Sequence, residues 1–324
     1  MSLKPALDML KESFKEWKDD DALQLGAALA YYTIFSIAPL LLIVIAVAGL
    51  VWGREAAQGQ IYSQFDNMVG PQGAAALQTM VGNAAKQGDK SGILATVIAA
   101  VTVLFGATGV FAQLQSALNK IWNVEPRPKS GIMGFIMTRI VSFGMILGIG
   151  FLLLVSLVVS AGLAAVNTYM SGLIPGAESI FMVIHFVVAF AVVTLLFAMI
   201  YRFLPDVKIA WRDVWIGAAI TALLFTIGKF AIGLYLGHSS AASVFGAAGS
   251  LVVVLLWIYY STQILFFGAE LTQVYARRYG SNIVPNEDAV QVREVKEVVE
   301  DGKGAPERPQ RTSGQEPRRA RSRF

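Results

Sequence analysis

Cysteine is absent from this chain of 324 residues, and histidine occurs only at His185 and His238. The absence of cysteine excludes disulfides and thiol chemistry. Neither histidine has a second metal-ligating residue three or four positions further along the chain, so no metal site is indicated. A glycine-rich loop of the P-loop kind is also missing, which argues against ATP-driven transport by this chain alone. We therefore expect neither a metal nor another cofactor.

Charged residues are scarce as well, at 15% of the sequence against 55% hydrophobic residues. This balance is too apolar for a soluble domain of this length and indicates a polytopic membrane protein. The pI of 9.2 comes from Lys and Arg spread over loop ends, where they fix orientation and meet anionic lipid headgroups. We therefore expect membrane lipids, in particular anionic phospholipids, as partners, and no nucleic acid.

Six apolar runs are each long enough to cross a bilayer, which takes about 20 residues. They predict an all-α membrane domain over residues 25–280 with six transmembrane helices. The runs are Leu25 to Val51, Ile93 to Leu114, Ile140 to Val166, Ile180 to Tyr201, Val214 to Leu236 and Gly249 to Val274.

Lys and Arg alternate between the loops that separate these runs. The N-terminal segment, the second loop and the fourth loop are basic near the membrane, whereas residues 167–179 and 237–248 contain neither Lys nor Arg. The positive-inside rule therefore places both termini in the cytoplasm. The basic positions are Lys4, Lys11, Lys15, Lys18, Lys120, Arg127, Lys129, Arg139, Arg202, Lys208, Arg212, Arg277 and Arg278.

The first 24 residues predict an amphipathic helix. Leu3, Leu7, Leu10, Phe14 and Trp17 recur at helical spacing and share one face, while lysines lie elsewhere on the helix. Two placements are open: on the cytoplasmic surface of the membrane, or packed against the protein's own cytoplasmic loops.

Two further segments lie outside the predicted spans. The loop over residues 53–91 has helical periodicity in two pieces, separated by Gly70 and Pro71, and predicts an external helical cap. Residues 281–324 are rich in charge, Pro and Gly, which predicts a disordered cytoplasmic tail. Its terminal arginines leave a second interpretation open, a polybasic attachment to anionic lipid.

Polar groups inside the spans are the candidates for function, because each is costly in hydrocarbon. Lys229 lies about 10 Å from the external end of span five, and it either lines a path or snorkels outward. Trp257 lies at a similar depth in span six and is followed by Tyr259 and Tyr260. These aromatic rings are candidates for a cation–π contact with Lys229 if the two spans pack together. Glu270, near the cytoplasmic end of span six, predicts an ion pair with an arginine at that interface.

Span one carries a polar stretch ahead of a proline. Pro39 removes a backbone donor and leaves the carbonyl of Phe35 without its helical partner. Such an interruption either exposes backbone at a substrate site or forms a kink satisfied by neighbouring helices.

Three stretches together resemble the YihY/BrkB family of bacterial inner-membrane proteins, once labelled ribonuclease BN. They are ALAYYTIFSIAPLLL from Ala28 to Leu42, NKIWNVE from Asn119 to Glu125, and FGAAGSLVVVLLWIYYSTQILFFGAEL from Phe245 to Leu271. The resemblance runs from about Leu10 to Tyr279. It implies a six-helix bundle in the cytoplasmic membrane of a bacterium, and transport or lipid handling across that membrane.

The ribonuclease label does not fit the residues. A metal-dependent nuclease needs clustered carboxylates or histidines facing solvent, whereas the predicted cytoplasmic loops supply isolated acids such as Glu125, Asp206 and Asp213. We expect that the protein is not an enzyme.

Two functions remain. The first is a transporter or lipid-translocation protein without its own ATPase, with a path between spans one, five and six and an arginine rim that holds phosphate headgroups. The path would be lined by Tyr31, Tyr32, Thr33, Ser36, Pro39, Lys229, Trp257, Tyr259, Tyr260 and Gln263, and the rim would consist of Arg139, Arg202 and Arg212.

The second function is a scaffold that recruits a cytoplasmic or periplasmic protein. Transport predicts a polar cavity or a lipid-sized groove, whereas a scaffold predicts a closed bundle packed through Gly and Ala. The sequence leaves the substrate, the coupling ion and the oligomeric state open.

Overall fold

A computed structural model describes residues 3–89, 109–127, 177–238, 249–280 and 283–292, together with Gly144 and Gly148. The described chain is predominantly helical. Its helices are α1 (Leu3–Asp19), α2 (Ala22–Trp52), α3 (Arg54–Asp89), α4 (109–121), α5 (Ala177–Phe203), α6 (Trp211–His238) and α7 (Gly249–Tyr279). Its short strands are β1 (Val124–Pro126), β2 (Val207–Lys208), β3 (Val284–Pro285) and β4 (Ala289–Gln291).

Three of the described helices are long and apolar enough to cross a membrane, as judged by length and composition. They are Met182–Phe203 in α5, Trp211–Ile232 in α6 and Leu251–Tyr279 in α7. These helices match predicted spans four, five and six. Predicted spans two and three lie largely outside the described residues, so the count of six stays a prediction.

Helix α2 meets the same criterion as a bent pair, Ala22–Ala38 and Leu40–Leu50, with an angle of 41° between its halves. The break falls at Pro39, which has no backbone N–H to donate to the helix. Helix α2 therefore counts as a fourth candidate span if its two halves are taken as one, and the bend at Pro39 agrees with the interruption that the sequence predicted.

The helices pack closely where small residues face larger ones. A Cβ atom built on Gly268 of α7 would lie 2.0 Å from Thr221 Oγ1 and 2.6 Å from the Tyr201 hydroxyl. Tyr201 in turn donates its hydroxyl hydrogen to the Leu265 carbonyl, 2.8 Å away. Because these contacts join α5, α6 and α7, they fix the register of the three helices.

Helix α3 consists of two helical pieces that meet at Gly70, where φ is 78° and ψ is 172°. This positive φ is a conformation that glycine adopts readily. In the second piece, Leu77 and Val81 are fully buried against α2 and α7, in a cluster that includes Ile37 and Val254. The two-piece helix agrees with the sequence, and its external position stays a prediction.

Residues 283–292 are ordered, contrary to the expectation of a disordered tail from residue 281. Strand β4 pairs antiparallel with β1, and β3 pairs antiparallel with β2. The Asn286 amide also donates to the Asp206 carbonyl, 2.9 Å away. The predicted boundary was wrong because composition does not reveal backbone hydrogen bonds to distant loops. Residues 293–324 lie outside the described part, and the predicted polybasic attachment of the tail lies there with them.

Candidate functional site

The predicted path residues of α2 point in different directions. Tyr31 is 60% exposed and packs its ring 4.9 Å from that of Phe35, whereas Ser36 is buried. The Thr33 hydroxyl donates to the Leu29 carbonyl one turn earlier, at 2.7 Å. Tyr32 is also exposed, although one edge of its ring approaches Gly109 of α4. Helix α2 therefore does not present these groups as one continuous polar surface.

The predicted contact between Lys229 and Trp257 is not formed. The Trp257 ring instead packs edge-to-face on Phe225 of α6, with the ring centroids 6.3 Å apart. Helix α6 turns Gly228 toward α7, where an added Cβ would lie 2.9 Å from the Tyr260 hydroxyl. Lys229, one residue further on, is therefore rotated away and exposed.

Gln263 and Tyr259 hold α7 against the start of α2. The Gln263 side-chain amide donates to the Ala22 carbonyl at 3.4 Å, and a Cβ on Gly26 would lie 2.0 Å from the same nitrogen. The Gln263 carbonyl oxygen is buried, and no donor in the described part of the chain reaches it. Tyr259 lies 3.6 Å from the same Cβ position. These two residues therefore have a packing role.

An open groove with a volume of about 300 Å³ lies between α1, α6 and α7. Three of its lining side chains carry a polar atom, Trp17, Tyr260 and Gln263, and the sequence placed the last two on the path. The groove is lined by Phe14, Trp17, Leu224, Ile227, Gly228, Tyr260, Gln263, Ile264 and Phe267. Sequence analysis missed the contribution of α1, since a helix outside the spans was not expected to line a path.

Helix α1 is attached to α7 through one flank. Met9 packs on Leu271 and Val274, while Leu7, Leu10 and Phe14 of its apolar face remain exposed. Helix α1 therefore packs against a helix, not against the cytoplasmic loops that the sequence suggested, and its placement on the membrane surface stays a prediction. The exposed face remains free to contact lipid.

The sequence predicted an ion pair between Glu270 and an arginine, but the arginines at the end of α7 pair with acids of α1 instead. The Arg277 guanidinium forms salt bridges with Glu12 at 2.6 Å and Glu16 at 3.0 Å, and Arg278 also pairs with Glu12. Glu270 is fully buried one to two turns earlier. Glu12 and Glu16 stand one turn apart on α1, a spacing that was visible in the sequence.

Two of the three predicted rim arginines lie near Trp211, one against its ring and one beside it in the chain. The Arg202 guanidinium donates to the Ile209 carbonyl and lies over the Trp211 ring, 5.7 Å from its centroid. Arg212 follows Trp211 and is exposed, as is Trp215, one turn further on. Arg139 lies outside the described residues. Exposed tryptophan beside arginine is typical of the interface between membrane and water.

On α6, Arg212 of the rim lies 15 residues before Ile227 of the groove, which is a rotation of about 60° and a rise of about 22 Å. The rim and the groove are therefore separated along the helix axis. Within the described ranges, no group of three or more His, Asp or Glu side chains is placed to hold a metal ion.

These features define a class, an α-helical membrane protein with a kinked first span. The model of the virulence factor BrkB family matches residues 13–292. The chain belongs to this family, which confirms the resemblance seen in its sequence motifs.

The curated relatives are named UPF0761 membrane proteins. One from Psychrobacter is 28% identical over 285 residues, covering 87% of this chain and 51% of the relative. One from Pseudomonas aeruginosa is 29% identical, covering 78% of this chain and 59% of the relative, and one from Mannheimia succiniciproducens is 27% identical, covering 78% and 83%. The chain thus matches only about half of the Psychrobacter protein. No solved structure matches the chain.

Proposed function

We propose that the protein handles phospholipid in the bacterial cytoplasmic membrane, and that the groove between α1, α6 and α7 accommodates an acyl chain. The observation that carries this proposal is the lining of the groove, which is apolar except for the Tyr260 hydroxyl, the Gln263 amide and the indole N–H of Trp17. Its volume of about 300 Å³ lies at the lower end of ligand-binding cavities. Such a site favours a hydrocarbon chain over a polar solute, because polar groups that enter it would find few hydrogen-bond partners.

The position of the groove supports a lipid that enters from the cytoplasmic leaflet. Its α7 residues lie around the middle of α7 (Gly249–Tyr279), and its other wall is α1, which pairs with Arg277 and Arg278 at the end of α7. In the proposed topology, with both termini in the cytoplasm, that end of α7 faces the inner leaflet. The tryptophans and arginines near Trp211 then provide a separate contact for anionic headgroups.

The test is reconstitution of the purified protein into vesicles that contain a fluorescent phospholipid. Transfer between leaflets is followed by the fraction of fluorophore that an impermeant reductant quenches. Ile227→Trp places a larger ring in the groove, because Ile227 lines it and is 59% exposed. Phe230→Trp is the matched control, since Phe230 lies on the same helix, is 72% exposed and does not line the groove.

We expect the wild type and Phe230→Trp to accelerate transfer over protein-free vesicles, and Ile227→Trp to slow it about tenfold, as a loss of about 1.4 kcal/mol implies. Lys229→Met should behave like the control if Lys229 only snorkels. A transfer rate for the wild type equal to that of empty vesicles would overturn translocation. If, in addition, the Ile227→Trp variant co-purifies with as much lipid as the wild type, the results would favour the scaffold function.

A further inference from the structure

Two polar side chains that line the groove each carry a buried atom without a hydrogen-bond partner. In the described part of the chain, the indole Nε1 of Trp17 finds no acceptor and the amide Oε1 of Gln263 finds no donor. Buried polar groups are nearly always paired, because an unpaired group has lost its bonds to water without replacement. The walls of the groove therefore contain one unused donor and one unused acceptor.

Both side chains are held in place by their neighbours. The Trp17 ring stacks on the Phe14 ring, with the ring centroids 5.6 Å apart. The Gln263 amide nitrogen donates to the Ala22 carbonyl at 3.4 Å. A flipped amide would place its oxygen against that carbonyl, so the donor and acceptor ends of the Gln263 side chain are fixed. The unused acceptor is therefore positioned before any ligand binds.

The polar part of the groove lies beside the start of α2. Gln263 contacts Ala22, the first residue of α2, and Trp17 precedes Ala22 by five positions in the chain. Predicted span one begins shortly afterwards, at Leu25. In the proposed topology this level is the cytoplasmic interface, where the glycerol and ester groups of membrane lipids lie. Tryptophan suits this layer, because its ring is apolar and its N–H needs an acceptor.

We propose that the groove binds a single-chain glycerolipid, with one acyl chain, one ester carbonyl and one free hydroxyl. The ester carbonyl accepts a hydrogen bond from Trp17 Nε1–H, and the hydroxyl donates to Gln263 Oε1. A diacyl lipid with a choline headgroup supplies the carbonyl but no donor. The volume of about 300 Å³ also favours one chain over two. This inference rests on the proposed function, since it names the lipid whose acyl chain the groove accommodates.

The test is competition for the groove in the full-length protein, embedded in nanodiscs of diacyl phosphatidylcholine. A lysophosphatidylcholine with a diazirine in its acyl chain is crosslinked by light, and intact mass spectrometry measures the yield. Three unlabelled competitors share its chain length and headgroup: the ester itself, an ether analogue that lacks the carbonyl, and a deoxy analogue that lacks the hydroxyl. Ile227→Trp reports whether the probe occupies the groove, because Ile227 lines it.

In the wild type, we expect the ether and deoxy analogues to need about tenfold higher concentrations for half-maximal competition, as the loss of one good hydrogen bond implies. Trp17→Phe keeps an aromatic ring and removes the donor, so the ester and the ether should compete equally. Gln263→Leu removes the acceptor, so the ester and the deoxy analogue should compete equally.

Trp257→Phe is the matched control. The Trp257 Nε1 is also buried without a partner in the described part of the chain, but Trp257 does not line the groove. This variant should therefore retain the wild-type order of the three competitors. If Gln263→Leu does not fold, the comparison of ester and ether in Trp17→Phe decides by itself.

Two results would contradict the proposal in different ways. Equal competition by all three lipids in the wild type, or an ester preference that survives in Trp17→Phe, would overturn recognition of the glycerol and ester groups. If Ile227→Trp still prevented crosslinking, the acyl-chain groove would stand. Crosslinking that Ile227→Trp does not reduce would overturn the groove as a lipid site, and this inference with it.

Discussion

At the scale of single residues, the contacts of a side chain depend on the direction in which its helix turns it, and not only on its residue type. Lys229 and Gly228 are adjacent on α6, yet the glycine faces α7 and the lysine is exposed. Sequence analysis favoured the lysine because an ionisable group within a span is costly. The rotation of α6 is set instead by the fit of Tyr260 and Ile264 against Gly228. The hydrophobic periodicity of the sequence does not reveal this fit, because it depends on which residues of the two helices meet.

The two described rim arginines should respond differently to neutralisation. Arg212 is exposed, so Arg212→Gln should lower the anionic phospholipid that co-purifies with the protein and leave its thermal stability unchanged. Arg202→Gln should lower both, because it also removes a charged hydrogen bond to Ile209, worth about 1.5 to 3 kcal/mol. Lipid mass spectrometry and thermal unfolding of the detergent-purified variants measure the two effects. Unchanged lipid in Arg212→Gln would indicate that the rim only sets orientation.

At the scale of helices, close approach through glycine holds α6 and α7 together. Thr221 of α6 and Tyr201 of α5 both lie against Gly268, and Thr272 of α7 lies against Gly217 of α6 in the same manner. The small residues were visible in the sequence, but their partners were not. Both of the predicted features occur among the described residues, because the bundle is tightly packed here and open beside α1.

Gly268→Ala should destabilise this helix contact. The added Cβ would overlap Thr221 Oγ1 at 2.0 Å, and relieving such overpacking costs about 1 to 3 kcal/mol. Gly82→Ala is the matched control, because no atom lies within 4 Å of its Cβ position, and alanine in a helix stabilises by up to about 1 kcal/mol. Thermal unfolding in detergent should show a lower Tm only for Gly268→Ala. Equal Tm shifts would mean that the contact adapts freely.

At the scale of the whole molecule, the loops and the segment after α7 are tied together. Asn119 donates to the Asp206 carboxylate at 2.8 Å and accepts from the Asp206 amide, also at 2.8 Å. The Gln273 amide donates to the Ile121 carbonyl, 2.7 Å away. With the two small sheets, these bonds join the ends of α4, α5, α6 and α7. Asn119 and Ile121 belong to the NKIWNVE motif, so that motif has a structural role in this network.

Membrane topology is testable with single cysteines in the cysteine-free chain. The distribution of Lys and Arg places Gly88 outside and Arg127 inside the cell. An impermeant maleimide added to sealed cells should therefore label Gly88→Cys and leave Arg127→Cys unlabelled until the cells are opened. The parent chain without cysteine serves as the background. Labelling of both positions in sealed cells would contradict the proposed topology.

The sequence by itself determined the class of the protein, since long apolar runs and scarce charge leave hydrocarbon as the stable environment for these helices. It also determined the breaks at Pro39 and Gly70, because both arise from local backbone chemistry. Only the tertiary structure decided that α1 lines a groove, that residues 283–292 complete two sheets and that Arg277 pairs with acids of α1. Each of these joins residues far apart in the chain, and contacts of that kind depend on how the helices pack.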